Sequence, residues 1–378
     1  MEFNDVSLSS SFYLAGIFIA FFSSFLLLGK RQKASADYIL AIWFFIIAIH
    51  IAYFLLIFSA AYIRFPFLLG FEIALPLIHG PLLYLYIKSL TGQPTIRRNY
   101  LLHLIPAVMV YIILLKFFML SPEKKIYIYQ HNGDNYKSLR DNIKILIIFS
   151  GIVYVSLSSL ALKKYKRQIS ELYSNTEKIN LNWGYYLIAG IALIWIAVML
   201  KVDILIFSLV VVFILVAAYL GISHVGILNL VQISNDAVEI DSEVNANLVA
   251  EKYQNNFVGK EIAQDIFARV DHLMEKEKVY KNPDLNLNQV AELVDVHPNV
   301  LSQTINYIAN KNFYDYINGY RVEEFKRIAV LPKNQKLTIM SLAYESGFNS
   351  KTSFNRNFKK YTHCSPREFL KGQNIDPE

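Results

Sequence analysis

The stretch that decides the fold of this chain is residues 337–370, LTIMSLAYESGFNSKTSFNRNFKKYTHCSPREFL. Apolar residues recur at helical spacing on both sides of Gly347, which predicts two helices joined by a tight turn and followed by a short capping helix. In the second helix Phe354 and Phe358 share one face, and polar and basic residues occupy the opposite face. A helix built in this way presents a side-chain surface suited to the major groove of DNA.

A weaker copy of the same unit lies upstream, from Asn286 to Ile308. Asn286 and Thr338 are the predicted N-caps of the two copies, because a short side-chain oxygen can accept a free backbone N–H of the first helical turn. Ala291 and Ala343 are small residues at positions where paired helices must approach closely. The chain is therefore predicted to carry two related helix pairs.

The second helices of the two pairs place equivalent polar side chains opposite their apolar faces, which are Leu301, Ile305 and Ile308 in one and Phe354, Phe358 and Tyr361 in the other. Asn and Gln can pair with adenine, Arg pairs with guanine, and Lys reaches phosphates. A solvated polar face is the simpler explanation for any single amphipathic helix, but two matched copies favour base reading. The predicted DNA-contacting residues are Asn299, Ser302, Gln303, Asn306, Lys351, Thr352, Asn355, Arg356 and Lys359.

These residues carry a family resemblance, which covers Leu273–Lys371, about a quarter of the chain. The positions that resemble the signature of the AraC/XylS family are Phe348, Ser350, Ser353, Phe354, Arg356, Phe358, Lys359, Ser365, Pro366 and Phe369. The resemblance implies two helix-turn-helix units joined by one long helix, Phe313–Ala329. It also implies recognition helices that enter major-groove segments about 34 Å apart, one turn of DNA.

Two features depart from the family pattern. His363 stands where the family usually has glycine before its Ser-Pro pair. The first unit, Leu285–Ile308, has no Lys or Arg and carries only Glu292 and Asp295. Because phosphate neutralisation supplies much of the affinity for DNA, we expect the second unit to contribute more of the binding.

The chain before Gly221 contains apolar runs of about 19–21 residues, long enough to cross a bilayer core of roughly 30 Å. The tract from Trp183 to Gly221 is too long for one span and is interrupted at Lys201 and Asp203, which predicts a hairpin of two helices. The seven predicted spans are Ser11–Leu28, Tyr38–Phe58, Phe67–Ile87, Tyr100–Met119, Ile143–Leu162, Trp183–Leu200 and Ile204–Gly221.

Basic residues concentrate in alternate loops between these spans, where Lys and Arg are expected for topological reasons. The net charge of +7 is therefore not direct evidence for a nucleic-acid partner. The positive-inside bias predicts that these loops are cytoplasmic, with the N-terminus outside and, after seven crossings, the C-terminus in the cytoplasm. Six spans would place the C-terminus outside, where there is no DNA. The basic loop residues are Lys30, Arg31, Lys33, Arg97, Arg98, Lys163, Lys164, Lys166 and Arg167.

A polar, mildly acidic stretch, 222–260, follows the spans and is predicted to be a juxtamembrane linker, within which Ser234–Asn247 is the segment interpreted as linker. A helix is predicted over Glu261–Glu277, with Ile262, Ile266, Val270, Leu273 and Met274 on its apolar face. From chain order, a signal would pass from the seventh span through Ile222–Gln232 to this helix.

Ionisable residues within spans are functional candidates, and His50, Glu72 and His79 form a predicted ligand or ion site. Glu72 and His79 are seven residues apart on one predicted helix, which Pro76 and Pro81 should bend. Interhelical hydrogen bonding that holds the bundle together is the alternative explanation for these residues. The single cysteine, Cys364, excludes an intrachain disulfide, and no metal-ligand or catalytic motif is present.

The sequence thus predicts an all-α protein: a seven-helix transmembrane bundle at 1–221, the linker, and a cytoplasmic domain at 261–378 with two helix-turn-helix units joined by a long helix. The predicted function is that of a membrane-bound one-component transcription regulator of the bacterial inner membrane, without enzymatic activity or cofactor. Its expected partners are operator DNA, the lipid bilayer, a small-molecule or membrane-derived signal and a second copy of the chain. The alternative is a membrane transport or signalling protein whose helix-turn-helix tail binds protein.

Overall fold

The computed structural model describes residues 2–92, 101–177, 179–224, 259–334 and 336–375. Within these ranges the chain forms helices and no β-strand, apart from one isolated antiparallel bridge. The described residues divide into two compact units. The first runs to Lys164 and resumes at Leu181, and the second combines Tyr165–Asn180 with the residues from 259 onward.

The first unit is built from apolar helices. Helix α2 packs against α1, α3 and α9, and α9 also packs against α1 and α8. Short 3₁₀ turns lie at Ala61–Ile63, Pro66–Leu68, Phe71–Ala74 and Asp134–Tyr136. The helices are α1 (Glu2–Gly29), α2 (Ser35–Phe58), α3 (Pro76–Leu90), α4 (Ile105–Ile113), α5 (Leu115–Phe118), α6 (Pro122–Gln130), α7 (Lys137–Leu172, which ends in the second unit), α8 (Gly184–Leu200) and α9 (Asp203–His224).

Four helical segments of the described chain are long and apolar enough to cross a membrane: Ser10–Gly29, Ser35–Phe58, Asp134–Leu172 and Asp203–Gly221. A fifth is reached if Pro66–Ala74 and Pro76–Leu90, which meet at a bend of 44°, form one broken span. The bend lies at Pro76, where proline cannot continue the hydrogen-bond ladder of a preceding helix. The prediction that Glu72 and His79 lie on one helix is therefore wrong, because the bend at Pro76 separates them.

Among the described residues, neither of the remaining two predicted spans forms one helix of 18 residues or more. The predicted span Tyr100–Met119 is divided into α4 and α5 at Leu114, and its residue Tyr100 lies outside the described residues. Helix α8 has 17 apolar residues and is shorter than the other candidates. The predicted break between the last two spans is present, because Lys201 takes the left-handed conformation (φ +58°) that ends α8.

The second unit carries two hydrophobic cores. One surrounds Val290, Leu301 and Ile317, and the other surrounds Phe325, Phe354 and Phe358. A π-helical turn occupies Leu273–Glu277, and 3₁₀ turns occupy Val279–Lys281 and Pro332–Asn334. The helices are α10 (Lys260–His272), α11 (Leu287–Leu293), α12 (Pro298–Ala309), α13 (Phe313–Ala329), α14 (Ile339–Glu345), α15 (Lys351–Thr362) and α16 (Pro366–Gly372).

The helix caps and the tight turn predicted from the sequence of the second unit are present in the structure. The Asn286 side chain accepts a hydrogen bond from the Gln289 amide at 3.0 Å, and Thr338 Oγ1 accepts one from the Ser341 amide at 3.1 Å. Gly347 has φ +96°, and a Cβ there would lie 2.5 Å from the carbonyl oxygen of Tyr280. The tight turn at this position therefore requires glycine.

Two predicted apolar faces need correction. Ile262 is 59% exposed, and Ala263 is buried in its place. Ile262 lies at the edge of the arc formed by Ile266, Val270 and Met274, so it faces solvent at the start of α10. Ile308 is only half-buried, because it lies in the last turn of α12. The predicted linker, 222–260, lies almost wholly outside the described residues.

Candidate nucleic-acid interface

Helix α15 separates its side chains into a buried aromatic face and an exposed polar face. Phe354 and Phe358 are fully buried (0% exposed) and contact Phe325 of α13. The helix begins after Ser350, whose Oγ accepts a hydrogen bond from the Ser353 amide at 3.1 Å. The five predicted contact residues of this helix are all exposed: Lys351, Thr352, Asn355, Arg356 and Lys359.

The position of Arg356 is fixed by a residue that the sequence reasoning missed. Its Nη2 donates a hydrogen bond to the Tyr314 hydroxyl at 2.6 Å, and its guanidinium lies 5.7 Å from the centre of the Tyr314 ring. Asn357, which is buried, donates from Nδ2 to the same hydroxyl at 2.7 Å. No short-range pattern predicts this contact, because Tyr314 lies in α13, 42 residues before Arg356.

Helix α12 presents the corresponding face of the first pair. Asn299, Gln303 and Asn306 are exposed and Ser302 is half-buried, while Leu301 and Ile305 on the opposite side are buried. All nine predicted contact residues thus lie away from the two cores. The α12 surface contains no Lys or Arg, so it can read base edges but cannot neutralise phosphates.

Helix α13 carries a buried carboxylate that joins three basic side chains. Glu324 is 4% exposed and pairs with Arg327 at 2.8 Å, Lys281 at 2.9 Å and Lys278 at 3.2 Å. The hydrogen bond from Arg327, with those from Lys281 and Lys278, outweighs burial and holds the pKa of the Glu324 carboxyl well below its ordinary value. These ion pairs connect the turn at Val279–Lys281 to α13.

The departure at His363 has a structural consequence. His363 ends α15 with φ +60°, a left-handed conformation that glycine adopts without strain. Its amide still donates to the Lys359 carbonyl at 2.9 Å. The histidine therefore forms the helix end that the family makes with glycine, at a conformational cost.

In the first unit, the predicted ligand residues fall into two hydrogen-bonded groups. Trp43 Nε1 donates to His79 Nδ1 at 3.2 Å, and His79 Nε2 lies 2.9 Å from His50 Nδ1. Because His79 Nδ1 is an acceptor, a neutral His79 carries its proton on Nε2 and donates it to His50. Glu72 is held separately: it accepts hydrogen bonds from the Gly70 amide at 3.0 Å and from the Tyr129 hydroxyl.

Both groups line one cavity of about 410 Å³, with apolar walls that include Ile73, Ile147 and Trp195. His50, Glu72 and His79 are thus brought to the same space although His79 and Glu72 do not bond to each other. Trp43 and Tyr129 were not predicted for this site, since neither belongs to a local motif. No group of three or more residues able to hold a metal ion occurs in the part of the chain that the structure describes.

Comparison with known proteins bears on the second unit. Residues 290–372 match the model of a family described as "Helix-turn-helix domain". This interval extends from α11 to α16 and contains both helix pairs. The C-terminal part of the chain is an AraC-type helix-turn-helix domain.

The curated relatives of this helix-turn-helix domain are named as transcriptional regulators and not as enzymes. An uncharacterised HTH-type transcriptional regulator of Staphylococcus aureus (strain COL) is 27% identical over 27% of this chain and 13% of its own length. One from the cgkA 5' region of Pseudoalteromonas carrageenovora is 31% identical over 23% of this chain and 49% of its own. The regulator YobQ of Bacillus subtilis (strain 168) is 35% identical over 22% of this chain and 33% of its own.

The chain thus spans less than half the length of each of these relatives. No solved structure matches the chain.

Proposed function

We propose that this protein is a membrane-bound, one-component transcription regulator that binds operator DNA through its helix-turn-helix domain. The observation that carries the proposal is α15, whose aromatic face is buried while Lys351, Thr352, Asn355, Arg356 and Lys359 are exposed. These side chains include a guanine reader, an adenine reader and phosphate contacts. Because the domain matches a helix-turn-helix family, DNA is the expected partner of this surface.

In this proposal both helix pairs contact DNA, joined by α13. Helix α15 supplies most of the affinity, because α12 offers the amides and hydroxyl of Asn299, Ser302, Gln303 and Asn306 but no cation. Helix α12 then contributes base discrimination more than affinity. The two surfaces would act on successive major-groove segments about 34 Å apart.

The second unit includes two segments that lie far apart in the chain, and this bears on the number of spans between them. Tyr165–Asn180 and the helix-turn-helix domain belong to one compact unit, so the proposal places both on one side of the membrane. An even number of crossings then separates them, and α8 with α9 supplies two. This argument supports counting α8 as a span, since 17 residues are at the lower limit for crossing a bilayer.

The signal is proposed to bind in the cavity lined by His50, Glu72 and His79. Its apolar walls and hydrogen-bonded imidazoles suit a small, largely apolar molecule that carries a polar group. The test is operator occupancy in cells for His79→Phe, with Tyr186→Phe, at an exposed position of α8, as the control. Occupancy that responds to growth conditions in His79→Phe as in the wild type would contradict a signal site here.

The DNA proposal is tested with the full-length chain in lipid nanodiscs. A pool of genomic fragments is bound at low salt, and the retained sequences are determined for the wild type and for Arg356→Ala. A shared motif in the wild type that is relaxed at one position in Arg356→Ala is the expected result. Absence of sequence preference in a folded wild-type chain would leave the rival, a protein-binding tail, as the better account.

Orientation is tested separately by fusing reporters to Glu378. We expect a green fluorescent protein fusion to be bright and an alkaline phosphatase fusion to be inactive, because the former folds in the cytoplasm and the latter in the periplasm. The opposite pair of results would overturn the proposed topology.

A further inference from the structure

The stretch Tyr165–Asn180, which separates the predicted fifth and sixth spans, contributes a fully buried residue to the helix-turn-helix domain. Ser174 is 0% exposed. Its amide and its Oγ both donate to the carbonyl oxygen of Leu285, at 3.2 and 2.6 Å. Beside it, Tyr173 forms an antiparallel bridge with Asn286, the N-cap of α11. This stretch therefore meets the domain at the start of the first helix pair.

Ser174 also completes the surroundings of a buried cation. Arg321 of α13 is 1% exposed, and its Nη1 and Nη2 donate to the carbonyl oxygen and to Oγ of Ser174 at 3.2 and 3.0 Å. Its other acceptors are the carbonyl oxygens of Tyr280 and Asn282, both at 2.7 Å, and Asn318 Oδ1 at 3.4 Å. Ser174 thus supplies two of these five acceptors.

The loss of those two acceptors would be costly. Burial lowers the pKa of Arg321 to about 10, so the side chain remains charged at neutral pH. A buried charge is tolerated only where hydrogen bonds replace its hydration. Asn318, also fully buried, donates to the Ser174 carbonyl at 2.9 Å and would lose this partner as well.

Further contacts hold the stretch in place. Leu172 packs against the core of the first helix pair, and Asn312, the N-cap of α13, donates to Ser170 Oγ at 3.4 Å. Within the stretch, the Tyr165 hydroxyl donates to the Ile179 carbonyl at 2.7 Å and closes the loop. The stretch is built as a component of the DNA-binding domain, although the chain reaches it between two predicted spans.

We propose that docking of Ser174 against Leu285 and Arg321 is a control contact through which the membrane part sets operator affinity. Arg321, which is part of α13, donates to carbonyl oxygens of the segment before α11. The docked Ser174 therefore stabilises the position of the first helix pair relative to α13. Withdrawal of the stretch leaves Arg321 and Asn318 short of acceptors, and the first helix pair is then held less firmly to α13. Because Tyr173 follows α7 directly in the chain, a change in that helix acts on the contact without an intermediary.

This inference rests on the proposed function, and its docking part is tested independently of DNA. In a full-length Cys364→Ser chain in native membranes, the double variant Tyr173→Cys/Asn286→Cys should form an intrachain disulfide under mild oxidation. The control pair Tyr173→Cys/Lys371→Cys, which places the second thiol on the exposed surface of α16, should not. Equal disulfide yields in the two pairs would refute docking.

The control part is tested by operator affinity in nanodiscs. Ser174→Trp, which cannot fit the buried position, should weaken binding tenfold or more, and Ser174→Ala should weaken it about threefold. The matched control is Asn175→Ala in the same loop. The Asn175 side chain accepts a hydrogen bond from the Glu177 amide within the loop, and the variant should bind as the wild type does. The disulfide-locked chain should retain full affinity.

The outcomes are distinguishable. Wild-type affinity in both Ser174 variants would mean that docking is structural and would overturn the control role. A wild-type chain that binds no DNA would overturn the proposed function and the control role together, while the disulfide yields would still decide whether the stretch docks. Ser174→Ala is included in case Ser174→Trp does not fold, because it deletes two hydrogen bonds without adding volume.

Discussion

The guanidinium of Arg356 is anchored by the hydroxyl of Tyr314, which accepts a hydrogen bond from Nη2 at 2.6 Å. Arg356 lies on the exposed face of α15, and Tyr314 lies in the first turn of the linking helix α13. The contact orients the proposed base-reading side chain from a second element and reduces the freedom that it would lose on binding DNA. We therefore expect Tyr314 to be a positioning residue for the proposed DNA-binding surface.

Arg356→Ala should cost about 1–3 kcal/mol at one operator position, because an arginine that contacts guanine supplies two hydrogen bonds. Tyr314→Phe should produce a smaller loss at the same position, about 0.5–1.5 kcal/mol, since the guanidinium remains but is no longer anchored. Competition binding with operators substituted at each position measures both. Losses at different positions in the two variants would contradict the anchoring role.

Lys359→Ala should weaken binding to all sequences alike and should reduce the salt dependence of the logarithm of the binding constant by about 0.9. The reason is that one fewer phosphate is neutralised. The control is Lys326→Ala, since Lys326 lies on α13 and pairs with Glu323 at 2.8 Å. A salt slope that falls equally in both variants would show that Lys359 has no particular contact with DNA.

The stability of the second unit should fall in acid through Glu324. The folded-state pKa of its carboxyl is depressed, chiefly by the hydrogen bond from Arg327, so its contribution is present above the unfolded pKa of about 4.3. That contribution is lost as the pH falls below this value towards the folded pKa. Hydrogen exchange in α13, corrected for intrinsic rates, should show protection that declines in this window.

Glu324→Gln should remove this part of the acid response and cost about 1–3 kcal/mol at pH 7, because a buried acceptor of charged donors is weakened. Glu323→Gln is the matched control, since Glu323 is exposed and pairs with Lys326. An acid response that persists unchanged in Glu324→Gln would assign it to other carboxylates.

His363→Gly should stabilise the domain by up to about 1.6 kcal/mol. A non-glycine residue at a left-handed position costs about 1–2 kcal/mol, and the greater freedom of glycine in the unfolded chain offsets about 0.4–1 kcal/mol of the gain. His363→Val should destabilise, since a β-branched residue is poorly tolerated at φ +60°. Hydrogen exchange in α15 measures both, and equal protection in the two variants would contradict the assigned strain.

Local patterns predicted most of the second unit. Helix α13 has the bounds Phe313–Ala329 that the family resemblance implied. The caps at Asn286 and Thr338 form as the local pattern predicted. These features depend on neighbours within four residues, which a sequence displays directly. The shape of the apolar helices in the first unit was harder to predict. The bend at Pro76 was expected from the proline, but the break at Leu114 interrupts a run whose hydropathy is uniform.

By itself the sequence determined the helix caps at Asn286 and Thr338, most of the apolar face of each helix in the second unit, and which polar side chains α12 and α15 expose. Each of these follows from residue type and helical period. Only the tertiary structure decided that Trp43 joins His79 and His50, that Tyr314 anchors Arg356, and that Ser174 completes the surroundings of Arg321. Such contacts join residues up to 147 positions apart, and the need to satisfy buried polar groups selects them only after the helices have packed.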